Sequence, residues 1–306
     1  MCFARKCQAP PHPSLDKLKM IINELTRAEV FEVKLFGGEF TFYPYWREVV
    51  QYLCERDFYQ TFVSNGTLFD AESADYLVAH NILGGGISIH GTEAVHDLIT
   101  QTPGSFRDAT RGALTCIAAG LQISILYTLS RQNMNCIEDT IRCLLDMNIL
   151  LAGGHFAIGR LCPFGQPPHI WETTRLSYNE FLAIFETIDR LSNCYPVTIV
   201  LGDAFPICRL PSKYHKYVTG CWQGTGFAHI ESDGGVKACA ILPKAIGNLL
   251  ETPLTDIWDH ELIEFRSLSW LPKKCGTCQT FCGGGCSASN PCSTVFGPDE
   301  FLVRSD

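Results

Sequence analysis

From Val33 to Leu191, short apolar and β-branched runs alternate with longer stretches whose apolar residues recur at helical spacing. The short runs predict strands over Val33–Phe36, Gln60–Val63, Ile87–His90, Ile123–Leu129 and His155–Leu161. Between the first two, Pro44 precedes Trp46, Val49, Val50 and Leu53, which share one face of a predicted helix. Asn135 with Glu138, and Ser177 with Glu180, have capping-box spacing, in which side chain and backbone N–H satisfy each other reciprocally at a helix start. An earlier helix is expected from about Leu15. Strand and helix alternating at this rhythm predict an α/β fold with a parallel sheet and right-handed crossovers, either barrel-like or doubly wound.

Past about Pro196 the character changes. Val197–Leu201 is a candidate for one more strand, and the chain then turns often, through Gly220, Gly224, Gly226, Gly234 and Gly235. Leu254, Ile257, Trp258, Leu262 and Phe265 behind Pro253 mark a last amphipathic helix. No repeat or low-complexity linker separates the two parts.

The ends of the predicted strands carry small and polar residues: Gly37-Gly38-Glu39, Ser64-Asn65-Gly66, Ser88 with His90-Gly91, Ser130, and Arg160. Each alone reads as an ordinary βα turn. Five in succession favour a shared site at the mouth of a β/α barrel.

Composition sharpens this picture. With 46% hydrophobic and 18% charged residues the chain has ample material for a core and is not disordered. No 18-residue apolar run is present to span a membrane. A net charge of −8 argues against a nucleic-acid partner, because phosphate binding needs clustered Lys and Arg.

Sixteen cysteines are the outlier. The start, MCFARKCQAPPHPS, lacks the apolar h-region of an export signal, so a reducing, cytoplasmic setting with bound metal is expected rather than a disulfide framework. Cys54, Cys116, Cys136, Cys143 and Cys194 sit singly in apolar or amphipathic segments and read as small buried hydrophobes. The others crowd the C-terminal third. Cys221-x12-Gly234-x4-Cys239 is followed by Cys275-x2-Cys278-x3-Cys282-x3-Cys286 and, five residues on, Cys292. Paired thiolates at x2 spacing suit a zinc ribbon. Seven cysteines fit zinc awkwardly, however. Gly283-Gly284-Gly285 would let backbone N–H groups approach the sulfides of an iron–sulfur cluster, which is the preferred reading.

These residues together carry a resemblance. The chain resembles a radical S-adenosylmethionine (radical SAM) enzyme with a C-terminal SPASM auxiliary-cluster domain, over nearly its whole length. LFGGEF is similar to the family's GGE motif after the second barrel strand. FVSNGTLF is similar to its third-strand motif, SIHG to its fourth, and HFAIGRLCPFGQ to its sixth strand and exit. Cys221-x12-Gly234-x4-Cys239 with IGNLLETPLTDIW is similar to the SPASM opening.

The resemblance implies a partial (β/α)6 TIM-like barrel over residues 1–203 and a small cysteine-rich SPASM domain over residues 204–306. It implies S-adenosylmethionine binding by Gly37, Gly38, Glu39, Ser64, Asn65, Ser88 and Arg160. Glu39 would hold the methionine amino group and Ser88 would meet the carboxylate. It further implies two auxiliary [4Fe–4S] clusters. One would be held by Cys221, Cys239 and Cys286, with Cys208 a candidate fourth ligand, and the other by Cys275, Cys278, Cys282 and Cys292. The x3 gap between Cys278 and Cys282 departs from the family, which commonly has five residues there.

The family's CxxxCxxC signature is not matched in full. Cys2, followed by Phe3, stands where its third cysteine belongs, and Cys7 reads as a bystander. Five strands before the C-terminal part also leave a six-stranded barrel one short. The expectation is therefore a barrel lacking its first strand, with Met1 an internal methionine; a degenerate member without the catalytic cluster is the alternative.

The activity implied is a peptide or protein maturase that works by 5′-deoxyadenosyl radical hydrogen abstraction, supplied with electrons by a flavodoxin- or ferredoxin-like partner. The residue after Cys239 is Ala240, where sulfatase-maturing members carry Asp, which argues against that substrate. Two other classes stay open on the residues alone: a non-catalytic iron–sulfur electron-transfer or scaffold protein, and a zinc-bound structural protein.

Overall fold

The computed structural model describes residues 12–150, 154–164, 167–280, 282–289 and 297–303. Cys2, Cys7 and Cys292 lie outside them.

Helix α1 (Leu15–Arg27) starts at Ser14, whose hydroxyl accepts the N–H of Lys17. Then strands and helices alternate: β1 (Glu32–Leu35), α2 (Trp46–Cys54), β2 (Tyr59–Ser64), α3 (Ala71–Ala79), β3 (Ile82–Ser88), α4 (Glu93–Thr100), α5 (Ser105–Ala118), β4 (Gln122–Leu129), α6 (Ile137–Asp146), β5 (His155–Arg160), α7 (Pro168–Thr174), α8 (Tyr178–Cys194) and β6 (Thr198–Leu201). The six strands form one all-parallel sheet in the order β1-β2-β3-β4-β5-β6. Every strand lies beside its predecessor. A doubly wound sheet would instead run back past its first strand. The winding is that of a partial β/α barrel.

Three sequence expectations change. The third strand begins at Ile82, five residues before the expected Ile87. Gly84, Gly85 and Gly86 hide it from a propensity reading, yet a Cβ at Gly84 would overlap the Gln122 carbonyl oxygen and one at Gly85 the Phe62 ring. The strand count rises to six within the described residues, because Thr198–Leu201 joins the same sheet through β5. Asn135 does not cap α6. The N-cap is Cys136, with no side-chain cap bond, and Glu138 is drawn to Arg190 at 2.8 Å and Tyr195 at 3.1 Å. The capping box at Ser177 and Glu180 is present with both bonds.

In β2, β4, β5 and β6 alternate residues are buried and the residues between them half-buried or exposed. Residues paired in register share a face. Phe62, Ile125, Tyr127, Phe156, Ile158, Ile199 and Leu201 lie on the buried face. The opposite face bears Gly86, Ser88, Ser124, Leu126, Thr128, Ala157 and Gly159 on the middle strands, and Glu32, Lys34 and Thr61 toward the β1 edge.

The described chain divides into two compact units. The first is residues 32–161 with 169–202, the parallel sheet and its helices. The second gathers the described residues among 203–303 and 162–168 and the segment 12–31. Helix α1 therefore belongs to the second unit, where Glu24 accepts the N–H of Leu254 at 3.0 Å. A small antiparallel sheet of β7 (His229–Ile230), β8 (Gly235–Lys237) and β9 (Gly247–Asn248) is its framework. The helix behind Pro253 is present but broken: Leu254–Asp256, a π turn over Ile257–Glu261, then Ile263–Ser267. No described helix is long and apolar enough to cross a membrane.

Candidate functional site

In the first unit, the loop leaving β1 passes through the exposed Gly37 and Gly38 to Glu39. Its carboxylate binds the end of β2. Oε1 accepts the hydroxyls of Ser64 and Thr41, each at 2.9 Å, and Oε2 accepts the backbone N–H of Asn65 at 2.7 Å. A carboxylate offers roughly four acceptor positions, so one on Oε2 is left for an incoming donor such as an ammonium. Asn65 Oδ1 accepts both N–H and hydroxyl of Thr67 at 2.8 and 2.7 Å, which closes the turn, and Gly66 adopts φ 79° within it. Gly112 of α5 lies so close that a Cβ there would overlap the Gly66 carbonyl oxygen. The helix thus backs the loop.

Ser88 ends β3 on the open face, in register with Leu126. His90, two residues on, is held by its backbone and ring together. Its N–H donates to His96 Nδ1 at 3.0 Å, its Nδ1 accepts the N–H of Thr128 at 3.1 Å, and its carbonyl accepts from the fully buried Asn133 at 2.9 Å. Burial, reinforced by His96, lowers His90 to about 3. Burial, partly opposed by Asp97, lowers His96 to about 4. Both imidazoles are neutral near neutral pH, and each uses Nδ1 as an acceptor. Neither His96 nor Asn133 was singled out in the sequence, since the bonds that define them span the fold.

Arg160 lies on the face of the sheet that also bears Ser64. It pairs in register with Leu129, on the face opposite Ser88, and its guanidinium lies 5.3 Å from the Phe181 ring of α8. Ser64 ends β2 on the buried face, and it and Asn65 are joined to Glu39 by hydrogen bonds, while Ser88 stands on the open face. Arg160 is built into the helix-covered side.

In the second unit, burial pushes the thiols of Cys221 and Cys239 up to about 12, and Cys286 and Asp203 add to both shifts. Cys221, Cys239 and Cys286 thus lie within electrostatic reach of one another. Asp203, invisible as a site residue in the sequence, joins them. No three Cys, His, Asp or Glu side chains among the described residues converge on a point where one metal ion would sit. Three thiols near one another in an apolar setting are what an iron–sulfur cluster takes, its positive irons holding as thiolates what burial would otherwise keep protonated. Ala238, Leu242, Leu262, Phe265 and Ala288 pack around Cys286, and Cys162 is buried with them.

Gln223 and Ser287 tie the two ligand-bearing segments together. The Ser287 hydroxyl meets both amide atoms of Gln223, at 2.6 and 2.9 Å, and both residues are buried. Cys275 is raised first by burial and then by Cys282 and Cys208. Cys208 thus lies within electrostatic reach of Cys275. Cys278 is exposed, Cys282 is buried, and the N–H of Cys278 turns back onto the Cys275 carbonyl at 3.2 Å. Of the five cysteines read as core, Cys116 is buried, Cys54, Cys136 and Cys143 are half-buried, and Cys194 is exposed at the end of α8.

The parallel sheet winds in one direction, Glu39 is bound at the end of β2, and the second unit gathers the closely spaced cysteines. Residues 1–144 match the family model described as the Radical SAM superfamily, and residues 221–279 match SPASM, an iron–sulfur cluster-binding domain. The chain belongs to the radical SAM superfamily and carries a SPASM domain.

It is similar to the AdoMet-dependent heme synthase of Methanosarcina barkeri, at 26% identity over 279 residues, covering 86% of this chain and 79% of the relative. It is similar to the mycofactocin maturase MftC of Mycobacterium ulcerans, at 28% identity over 311 residues, covering 96% and 81%. Among solved structures, Streptococcus suis SuiB bound to S-adenosylmethionine shares the fold, with TM-score 0.74 and 16% identity over 99% of this chain and 73% of that one.

Proposed function

We propose that this radical SAM/SPASM enzyme is a peptide maturase. Gly37, Gly38, Glu39, Ser64, Asn65 and Ser88 would cradle the amino-acid end of S-adenosylmethionine. Cys221, Cys239 and Cys286 would hold one auxiliary cluster, with Cys275, Cys278, Cys282 and Cys292 holding the other. The observation that carries the reading is the Glu39 carboxylate, fixed by three donors with one acceptor position left over. When bound, the cofactor and a reduced [4Fe–4S] cluster supply radical hydrogen abstraction. The protein's part is to orient the cofactor and keep stray hydrogen donors away. The peptide substrate is supported by the maturase relative, which matches 96% of this chain. A flavodoxin- or ferredoxin-like reductant and a cytoplasmic setting complete the proposal.

The heme synthase relatives favour a second reading, in which the substrate is a heme precursor. The test uses protein completed ahead of Cys2 so that it carries a full CxxxCxxC, reconstituted anaerobically with dithionite and S-adenosylmethionine. Deuterated candidate peptides encoded beside the gene, or deuterated heme precursors, are added in turn. Deuterium appearing in 5′-deoxyadenosine from a peptide supports the first reading, and from a heme precursor the second. No 5′-deoxyadenosine under either condition favours the electron-transfer or scaffold role.

A further inference from the structure

Two N–H groups of the turn from Cys282 to Cys286 have partners within the protein. Gly283, Gly284 and Gly285 all take left-handed φ, at 60°, 73° and 87°, a run that side chains would oppose. Within this turn the Gly285 N–H returns to the Cys282 carbonyl at 3.0 Å. The Cys286 N–H is taken at 2.8 Å by Asp299 Oδ2. A Cβ on Gly285 would come within 2.5 Å of that same oxygen. The other oxygen of Asp299 accepts the N–H of Phe301 at 2.9 Å.

Asp299 is 0% exposed. Its surroundings are stitched to the turn on several sides. The Gly297 N–H reaches the Ser287 carbonyl at 3.2 Å, and the Glu300 N–H reaches the Ser289 hydroxyl at 3.3 Å. Phe301 packs on Phe205 with ring centroids 5.4 Å apart. Both carboxylate oxygens accept from backbone N–H groups. An Asn would turn its NH₂ toward one of them and lose that bond. The site thus asks for a carboxylate.

We infer that Asp299 is a positioning residue for the auxiliary cluster: it fixes the backbone of Cys286 and places a buried negative charge beside the cluster, holding its reduction potential low. The inference rests on Cys286 being a cluster ligand. Reduction potentials of iron–sulfur clusters follow local charge and hydrogen bonding, so both contributions of Asp299 are measurable. An N–H given to a carboxylate is also withdrawn from the cluster sulfur, which acts in the same direction.

The experiment compares wild-type, Asp299→Asn, Asp299→Glu and Cys286→Ala proteins, reconstituted anaerobically, by iron content and EPR-monitored redox titration. Cys286→Ala should lose the iron of one cluster. Asp299→Asn should retain most iron and shift one midpoint to more positive potential, leaving the other unmoved. Asp299→Glu, which keeps the charge but not the 2.8 Å geometry, should lower iron occupancy with little change in midpoint, and it carries the test if Asp299→Asn does not assemble. Full occupancy and unchanged midpoints in both Asp299 variants would overturn this inference alone. Full iron retention in Cys286→Ala, or no cluster in the wild type, would overturn the ligand reading and this inference with it.

Discussion

The Glu39 carboxylate accepts the backbone N–H of Asn65 at 2.7 Å, locking the loop after β1 onto the end of β2 across 26 residues of sequence. Ser64 and Thr41 hold its other oxygen. Removing the carboxylate therefore has two consequences, loss of an ammonium acceptor and release of the loop. In a chain with all cofactors loaded, Glu39→Ala should weaken S-adenosylmethionine binding by one to two orders of magnitude, about 1.4 kcal/mol per tenfold. Auxiliary iron should be unchanged. Calorimetric titration with the cofactor, alongside iron analysis, checks both.

Gly112→Ala tests the same loop from behind. The added methyl would overlap the Gly66 carbonyl oxygen, so either α5 or the Ser64–Gly66 turn must shift. Overpacking of this kind costs roughly 1–3 kcal/mol. Thermal unfolding should begin at lower temperature, and cofactor affinity should fall although residue 112 is not proposed to touch the cofactor. The equivalent change at Gly120, where a Cβ meets nothing within 4 Å, is less suitable as a control because its φ is 100°. Ala118→Ser, on the same helix, serves better.

Stability should fall on mild acidification because of His90 and His96. Their folded values, about 3 and about 4, lie below the ordinary 6.5. Below pH 6.5 the unfolded chain therefore binds protons that the folded chain refuses. Stability falls as pH drops from 6.5 toward 4, by about 1.4 kcal/mol per pH unit for each proton so withheld. Above 6.5 neither group contributes a slope. Urea unfolding between pH 7.5 and 5, for wild type and His96→Gln, measures this, and the variant should show the shallower dependence.

Thiol labelling should sort the cysteines by environment. Cys116 is fully buried, and burial pushes its thiol up to about 12, so native protein at pH 7.5 should leave it unlabelled by iodoacetamide. Cys194, exposed, should react first among the cysteines of the first unit. Mass spectrometry of timed digests reads the order.

Iron content gives a further contrast. The 306 residues contain no complete CxxxCxxC, and the chain should take up about eight irons, enough for two [4Fe–4S] clusters. Cys278→Ala or Cys282→Ala should each lose about four and destabilise the second unit, because cluster binding is coupled to folding. Cys116→Ala should lose none.

What the sequence determined by itself is whatever local spacing encodes. Apolar periodicity located all six strands of the sheet to within a few residues, apart from the glycine-masked start of β3. Ser177 and Glu180 announce a capping box that is present, and the cysteine intervals with GGE, SNG and SIHG point to the family. The tertiary structure decided what depends on register and on distant partners. Single winding follows from which strands pair, a choice the strands' own residues leave open. Arg160 faces Phe181 rather than the open side because a strand's side chains alternate, and a shift of one residue in register would reverse every face. Asn135 lost its cap to a helix that starts one residue later, while Glu138 found Arg190 and Tyr195 more than fifty residues away. Asp299 beside Cys286, 13 residues apart in sequence, and Gln223 against Ser287, 64 apart, have no local signature, since a buried polar group is defined by the partner the fold brings to it.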